Sequence, residues 1–105
     1  MIFGLGIKSV TTAQLAERMA AGKITLLDVR EPYEYAAGHV KGAVNVPLGS
    51  LQGKLDRYAR DAEIYVICHS GSRSASAVRL MKRAGFTNVI NVAGGTSAWR
   101  GKLAK

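Results

Sequence analysis

The sequence is poor in several features, and each absence narrows the class of protein. Cys68 is the one cysteine among 105 residues, so an internal disulfide is excluded and a reducing compartment is expected. No apolar run reaches the roughly 18 residues that a membrane-spanning helix needs. The start of the chain lacks the basic segment and the small-residue cleavage site of a signal peptide. We therefore expect a cytoplasmic protein with no membrane partner.

Acidic residues are also scarce, with 7 Asp and Glu against 15 Lys and Arg, which gives a formal charge of +8. Such a field favours anionic substrates or acidic partner proteins. The basic residues are spread along the chain without a long Lys/Arg block, so specific nucleic-acid binding is not predicted. One cysteine and two histidines without ligand spacing also argue against a zinc site.

The length and the order of apolar segments predict the fold class. The chain is long enough for one hydrophobic core, so we expect one domain over residues 1–105 with its core at about 10–100. Predicted strands alternate with predicted helices, which indicates an α/β fold with three layers: a mostly parallel sheet of about five strands and helices on both faces. The strands are predicted at 8–10 (an edge strand), 24–29, 43–46, 64–67 and 88–92, and the helices at 12–21, 32–37, 51–58, 74–84 and from 95.

Local signals support the first two helices. Thr11 followed three residues later by Gln14 is a capping-box pattern, and the helix after it would bury Leu15, Ala16 and Met19. Pro32 suits the first position of a helix that runs to about residue 37.

The stretch from residue 64 to residue 85 is the most informative part of the chain. A buried strand, 64–67, ends at Cys68, and a helix is predicted to begin near Ser74. The turn between them leads into the N-terminus of a helix, where the first N–H groups are unpaired and the helix dipole is positive. Successive N–H groups around Gly71 would stabilise a thiolate at Cys68 and lower its pKa, and Arg73 adds a planar cation suited to oxyanions.

The alternative is that Cys68 is only a small buried hydrophobic residue and Arg73 a surface charge. Gly, three Ser and Arg between a strand and a helix favour the reactive thiol. This interpretation requires the thiol to sit at the rim of the loop, open to solvent and deprotonated near neutral pH.

Three segments of the chain, in order, resemble the rhodanese-like domain of the thiosulfate sulfurtransferases. The resemblance covers nearly the whole chain, from about Val10 to Trp99. The segments are Asp-Val-Arg-Glu-Pro-Tyr-Glu-Tyr (28–35) running into Gly-His-Val-Lys-Gly-Ala-Val-Asn-Val-Pro (38–47), Cys-His-Ser-Gly-Ser-Arg-Ser (68–74), and Gly-Gly-Thr-Ser-Ala-Trp (94–99).

The resemblance implies a thiosulfate sulfurtransferase that works without a metal or organic cofactor. Cys68 would take the outer sulfur of thiosulfate as a persulfide and pass it to cyanide, a thiol or an acceptor protein. Arg73 would bind the sulfonate end, and the loop would hold the persulfide's charge. The substrate-binding residues implied are Arg73, His69, Ser70, Gly71, Ser72 and Ser74.

The length of the loop separates this family from its relatives. Cys68 to Arg73 is six residues, the length found in the sulfurtransferases. The related cell-cycle phosphatases and arsenate reductases have one residue more, which widens the ring of N–H groups for a tetrahedral oxyanion. Phosphatase activity is therefore disfavoured.

Five other residues near these motifs need a role. Asp28 either orients the loop or its Arg73, or forms with Arg30 a pair that fixes the following turn with Glu34, and the structural role is favoured. His69 is either a general base or an exposed loop residue, and a thiol already deprotonated needs no base. His39 is predicted to be structural. Trp99 is predicted to pack under the terminal helix rather than to touch substrate, although Gly94 and Gly95 permit close backbone approach to the loop.

A second function remains open at this point. The chain would keep the same cysteine if it were a persulfide carrier or a protein-interaction module with no turnover of its own. The sequence separates neither these two roles nor the physiological donor and acceptor.

Overall fold

The computed structural model describes residues 2–3 and 6–105, and across them a twisted sheet runs through the centre of the molecule. Its strands lie in the order β1-β2-β6-β5-β3-β4. Strand β1 is antiparallel to β2, and every other neighbouring pair is parallel. The strands are β1 (Ile2–Phe3), β2 (Ile7–Val10), β3 (Thr25–Asp28), β4 (Val44–Asn45), β5 (Ile64–Ile67) and β6 (Val89–Val92).

Three α-helices and two short 3-10 helices connect the strands of the described chain, and a fourth α-helix follows the last strand. The α-helices are α1 (Thr12–Ala21), α2 (Pro32–Ala37), α3 (Ser72–Arg83) and α4 (Gly95–Ala98), and the 3-10 helices are Leu48–Ser50 and Gln52–Arg57. Helix α1 starts with the predicted capping box, in which Thr11 Oγ1 accepts from Gln14 N–H and Gln14 Oε1 accepts from Thr11 N–H. Pro32 opens α2 as expected.

Buried side chains form one apolar cluster on each face of the sheet. On one face Leu27, Val66 and Val89 pack against Val78 and Met81 of α3. On the other, Leu26, Ile67 and Ile90 pack against Leu15 of α1 and the partly buried Trp99. The three-layer α/β fold, with a mostly parallel sheet, is therefore confirmed.

Several predicted details of the strands and helices were wrong. Strand β2 is not at the edge, because β1 pairs outside it. Ala16 is exposed, since α1 buries Leu15 alone and only half-buries Met19. The segment predicted as a helix at 51–58 is a 3-10 helix, and α3 begins two residues earlier than predicted, at Ser72.

The topology places the motifs at one edge of the sheet. Strands β3, β5 and β6 are parallel neighbours that end at Asp28, Ile67 and Val92. Cys68 follows the central strand of these three, so the loop after it lies between the segments that follow β3 and β6. Ligands of parallel sheets bind beyond this end of the strands.

Candidate active site

The loop that carries Cys68 is a tight turn between β5 and α3. Gly71, the residue before α3, has φ +104°, a left-handed conformation that side-chain-bearing residues seldom adopt. A Cβ on Gly71 would also lie 3.4 Å from the Gly94 nitrogen. Glycine therefore lets the chain reverse direction and lie against the segment after β6.

The Cys68 sulfur accepts two hydrogen bonds from this turn. The Gly71 N–H donates to Sγ over 3.1 Å, and the Ser74 hydroxyl donates over 3.4 Å. Burial raises the pKa of the Cys68 thiol, but hydrogen bonds from the Ser74 side chain and from the N–H groups of Ser74, Gly71 and Ser70 outweigh it, so the net pKa is lowered. This is the direction expected from the sequence.

The position of the thiol at the rim of the loop was predicted wrongly. Cys68 is only 1% exposed, whereas His69 and Ser70 are exposed. The segment after β6 lies against the start of the loop, because Thr96 N–H donates to the Cys68 carbonyl and Ser97 N–H to the His69 carbonyl, each over 2.9 Å. A Cβ on Gly95 would collide with those two carbonyl oxygens, so the predicted close approach of Gly94-Gly95 to the loop is confirmed.

Arg73 is paired with a carboxylate from another part of the chain. Its Nη1 and Nη2 donate to Glu34 Oε1 and Oε2 over 2.7 and 2.9 Å, a bidentate ion pair. The Arg73 hydrogen bond holds the pKa of Glu34 down at about 2 despite partial burial, and Glu34 in turn raises the pKa of Arg73. The fork of Arg73 is thus fixed in orientation, with Nε and the outer Nη hydrogens left over for an anion.

Asp28 and Arg30 form a buried pair that supports the segment carrying Glu34. Asp28 is 0% exposed and accepts from Arg30 Nε, Nη2 and backbone N–H over 2.8 to 3.2 Å. Arg30 Nη2 also donates to the Gly38 carbonyl just after α2 over 2.7 Å, and Asn45 Nδ2 donates to the carbonyls of both residues of the pair. Within the described chain, the Asp28 carboxylate bonds to Arg30 and not to Arg73. Asp28 therefore has the structural role, that of fixing the turn after β3.

The remaining predicted residues divide by exposure. His69, Ser70 and Ser72 are exposed on the loop, whereas Ser74 is fully buried beside the sulfur.

His39 stacks on the Tyr35 ring, with centroids 3.6 Å apart, and its Nδ1 lies 2.8 Å from the Tyr35 carbonyl, so it has the structural role expected of it. Trp99 packs in the cluster beside α1, away from the loop.

Sequence reasoning missed the partnership of Arg73 with Glu34. The sequence predicted that Glu34 fixes the turn after β3 together with Asp28 and Arg30, and this was wrong, because the Glu34 carboxylate pairs with Arg73, 39 residues later. A basic residue in an anion loop, together with an acidic residue beyond a neighbouring parallel strand, is the signal that could have suggested the pair.

Residues 2–3 and 6–105 contain no group of three His, Cys, Asp or Glu side chains placed to hold a metal ion. In the same part of the chain, none of the helices combines the length and apolarity needed to cross a bilayer.

Comparison with known proteins places these features in a family. The model of the rhodanese-like domain matches residues 11–102. The chain is 47% identical over 79 residues to the "Putative sulfur carrier protein YrkF" of Bacillus subtilis, covering 75% of this chain and 43% of that protein. It is 38% identical over 97 residues to the "Putative sulfurtransferase YtwF" of the same organism, covering 91% of this chain and 93% of that one.

A solved structure agrees with these matches. The crystal structure of a rhodanese-like domain protein from Staphylococcus aureus superposes with a TM-score of 0.86 at 31% identity, covering 93% of this chain and 97% of that one. The chain spans less than half of YrkF but nearly all of YtwF and of the staphylococcal protein. The tight turn around a hydrogen-bonded cysteine, the fold that presents it and the family match agree: this chain belongs to the rhodanese-like domain family.

Proposed function

We propose that the protein is a sulfurtransferase that moves sulfane sulfur from thiosulfate, or a similar donor, to a thiophilic acceptor through a persulfide on Cys68. The observation that carries the proposal is the pair of hydrogen bonds that the Cys68 sulfur accepts from Gly71 N–H and the Ser74 hydroxyl. Donors aimed at a sulfur atom stabilise its anion, and the thiolate is the nucleophilic form of cysteine.

In the first half-reaction, the Cys68 thiolate attacks the outer sulfur of thiosulfate. A new S–S bond forms, the bond between the two thiosulfate sulfurs breaks, and its electron pair leaves with sulfite. The terminal sulfur of the persulfide carries the negative charge that the thiolate held. The N–H groups that favour the thiolate are placed to favour this anion as well, so no separate acid or base is required.

Arg73 would hold the sulfonate end of the donor and the departing sulfite. Its Nε–H and outer Nη hydrogens stay available while Glu34 takes the inner pair, so an oxyanion and the carboxylate can share one guanidinium. Glu34 neutralises part of the charge, which limits how tightly sulfite is retained after the bond breaks.

The second half-reaction regenerates the thiolate. Cyanide, a thiol or an acceptor protein attacks the outer persulfide sulfur and takes it, and the electron pair of the S–S bond returns to Cys68. Two half-reactions through one covalent intermediate give ping-pong kinetics.

The enclosure of Cys68 does not meet the requirement for a thiol open to solvent, so the proposed reaction depends on access through a movement of the loop. With 1% of the residue exposed, the donor's outer sulfur must reach Sγ through the loop, whose exposed residues are His69, Ser70 and Ser72. A single protruding sulfur atom is a small group to admit, and a small alkylating reagent tests the same access.

The test is thiocyanate formation from thiosulfate and cyanide. Wild type is expected to turn over, and Cys68→Ser is expected to be inactive. Arg73→Ala should raise the KM for thiosulfate about tenfold or more while leaving a thiol that still reacts, and the exposed Arg57→Ala on a 3-10 helix is the matched control with an unchanged KM. Full activity of Cys68→Ser would refute the mechanism.

A carrier role is the second candidate, favoured by the similarity to a protein named as a sulfur carrier. A carrier would hold sulfur on Cys68 and hand it to a protein without rapid turnover of thiosulfate. Mass spectrometry of the isolated protein, looking for one extra sulfur on Cys68, separates the two together with the turnover rate. A stable persulfide with negligible turnover selects the carrier.

A further inference from the structure

A cavity lies behind the Cys68 loop, on the face of the sheet that α3 covers. Its volume is about 260 Å³, and it is bounded by β2, β6 and α3 together with Ser70 and Gly71 of the loop. Ser9 and Asn91 are partners in the parallel pairing of β2 with β6, so their side chains stand next to each other on the cavity wall. Arg79 faces them from α3.

Three polar atoms on this wall have no partner among the described residues. They are the Ser9 hydroxyl, the Asn91 Oδ1 and the Arg79 Nε, each fully buried. Ser9 and Asn91 are both 6% exposed, so the two side chains are more than nine-tenths buried. Buried polar groups are nearly always hydrogen-bonded, and parallel strands covered on both faces are normally apolar at such positions. A hydroxyl, an amide and a guanidinium gathered here are groups that an ordered water or a bound polar molecule satisfies.

The chemistry of the three side chains selects the class of a bound molecule. Arg79 supplies a permanent positive charge and forms none of the ion pairs found in residues 2–3 and 6–105. Its Nε–H and the Ser9 O–H are donors, and Asn91 offers a donor as well when its amide is turned by 180°. One cation with two neutral donors matches the oxygens of a small anion, and the chain's net charge of +8 draws anions toward it.

We propose that this cavity is a second anion site, distinct from the Cys68 loop, which binds a small oxyanion or carboxylate on Arg79, Ser9 and Asn91. Gly71 connects the two sites, because it lines the cavity while its N–H donates to Cys68 Sγ. A bound anion lies against the residue whose N–H supports the thiolate, so the Gly71 amide signal reports on binding.

The test is a titration of the 15N-labelled protein with sodium sulfate and, separately, with sodium acetate, at constant ionic strength. The Arg79 Nε–Hε and Gly71 amide signals are expected to shift and to saturate with at least one of the two anions. The anion that binds more tightly tells whether the site prefers a tetrahedral oxyanion or a carboxylate. An Arg73→Ala background removes binding at the catalytic loop and should keep this saturation.

Three variants give the proposal its controls. Arg79→Gln should weaken binding about tenfold, and the exposed Arg83→Gln on the same helix should leave it unchanged. Ser9→Ala should weaken binding and also raise the Tm in the absence of anion, because it removes an unpaired buried hydroxyl. Linear shifts without saturation for both anions, or equal binding by wild type and Arg79→Gln, would overturn the proposal. No step of the test uses thiosulfate turnover, so its outcome is independent of the sulfurtransferase assay.

Discussion

The guanidinium of Arg73 and the carboxylate of Glu34 meet in a bidentate ion pair between the Cys68 loop and α2, with N–O distances of 2.7 and 2.9 Å. This pair joins the two segments that follow neighbouring strands β5 and β3. It fixes the one cation of the loop in a set direction before any donor binds, which reduces the side-chain entropy lost on binding.

The Arg73–Glu34 pair makes stability depend on pH in acid. The pKa of Glu34 is lowered from 4.5 to about 2, so its contribution is complete above pH 4.5 and is lost as the pH falls toward 2. Because the Arg73 side chain is 37% exposed and solvent screens the pair, we expect Glu34→Gln to cost about 1 kcal/mol at pH 7. Urea unfolding at pH 7 and at pH 3 should show the difference from wild type shrinking.

The control for this prediction is Glu17→Gln, an exposed carboxylate on α1. It should leave the free energy of unfolding nearly unchanged at both pH values. A Glu34→Gln effect of the same size at pH 3 as at pH 7 would show that packing, rather than charge, explains the loss.

The second prediction concerns the ionisation of Cys68. The rate of alkylation by iodoacetamide against pH should have a midpoint below that of an ordinary cysteine thiol, since the hydrogen bonds of the loop favour the thiolate. Ser74→Ala removes one of these bonds and should move the midpoint upward. The exposed Ser72→Ala is the control and should leave the midpoint in place. A thiol that stays unreactive near neutral pH would contradict the sulfurtransferase proposal.

The third prediction is that Gly95 tolerates no side chain. Its φ is +59°, and an added Cβ would collide with the carbonyls of Cys68 and His69. Gly95→Ala should cost about 2–3 kcal/mol, equivalent to a fall in Tm of roughly 10–20 °C, and should reduce sulfur transfer by displacing the loop. Gly53→Ala, with no atom within 4 Å of the added Cβ, is the control and should keep both stability and activity.

The fourth prediction concerns the buried pair of Asp28 and Arg30. Asp28→Asn would leave Arg30 as an uncompensated buried charge, and we expect a loss of about 3–5 kcal/mol. Asp56→Asn breaks an ion pair whose carboxylate is 99% exposed and should change the Tm little. Thermal unfolding of both variants decides the matter, and equal losses would show that burial of the first pair is unimportant.

The parts of the fold that could be predicted from sequence are those set by neighbours along the chain. The capping box of Thr11 and Gln14, Pro32 at the start of α2 and the apolar run Ile64–Ile67 are local signals, and each element was found where it was predicted. The expected lowering of the Cys68 pKa belongs to the same group, because a turn between a strand and a helix supplies its N–H groups locally.

The parts that could not be predicted depend on segments far apart in sequence. Thr96 and Ser97 bond to the carbonyls of Cys68 and His69, about thirty residues earlier, and no periodicity reveals that contact. The pairing of Arg73 with Glu34 is likewise a product of the strand order. The segment predicted as a helix at 51–58 has the 3-10 form. The sequence did not predict this form, because apolar spacing does not distinguish the two types of helix.

Strand β5 leads directly into Cys68, and it lies between β3 and β6 with all four of its residues buried. Amide hydrogens in such a strand exchange with solvent only when the whole molecule unfolds, so Cys68 is anchored to the slowest-exchanging part of the protein. We therefore expect a breathing motion that admits a reagent to the sulfur to occur in the backbone at 69–71 or 93–95. Hydrogen–deuterium exchange should show early deuterium uptake in those two short stretches, while Ile64–Ile67 stays protected.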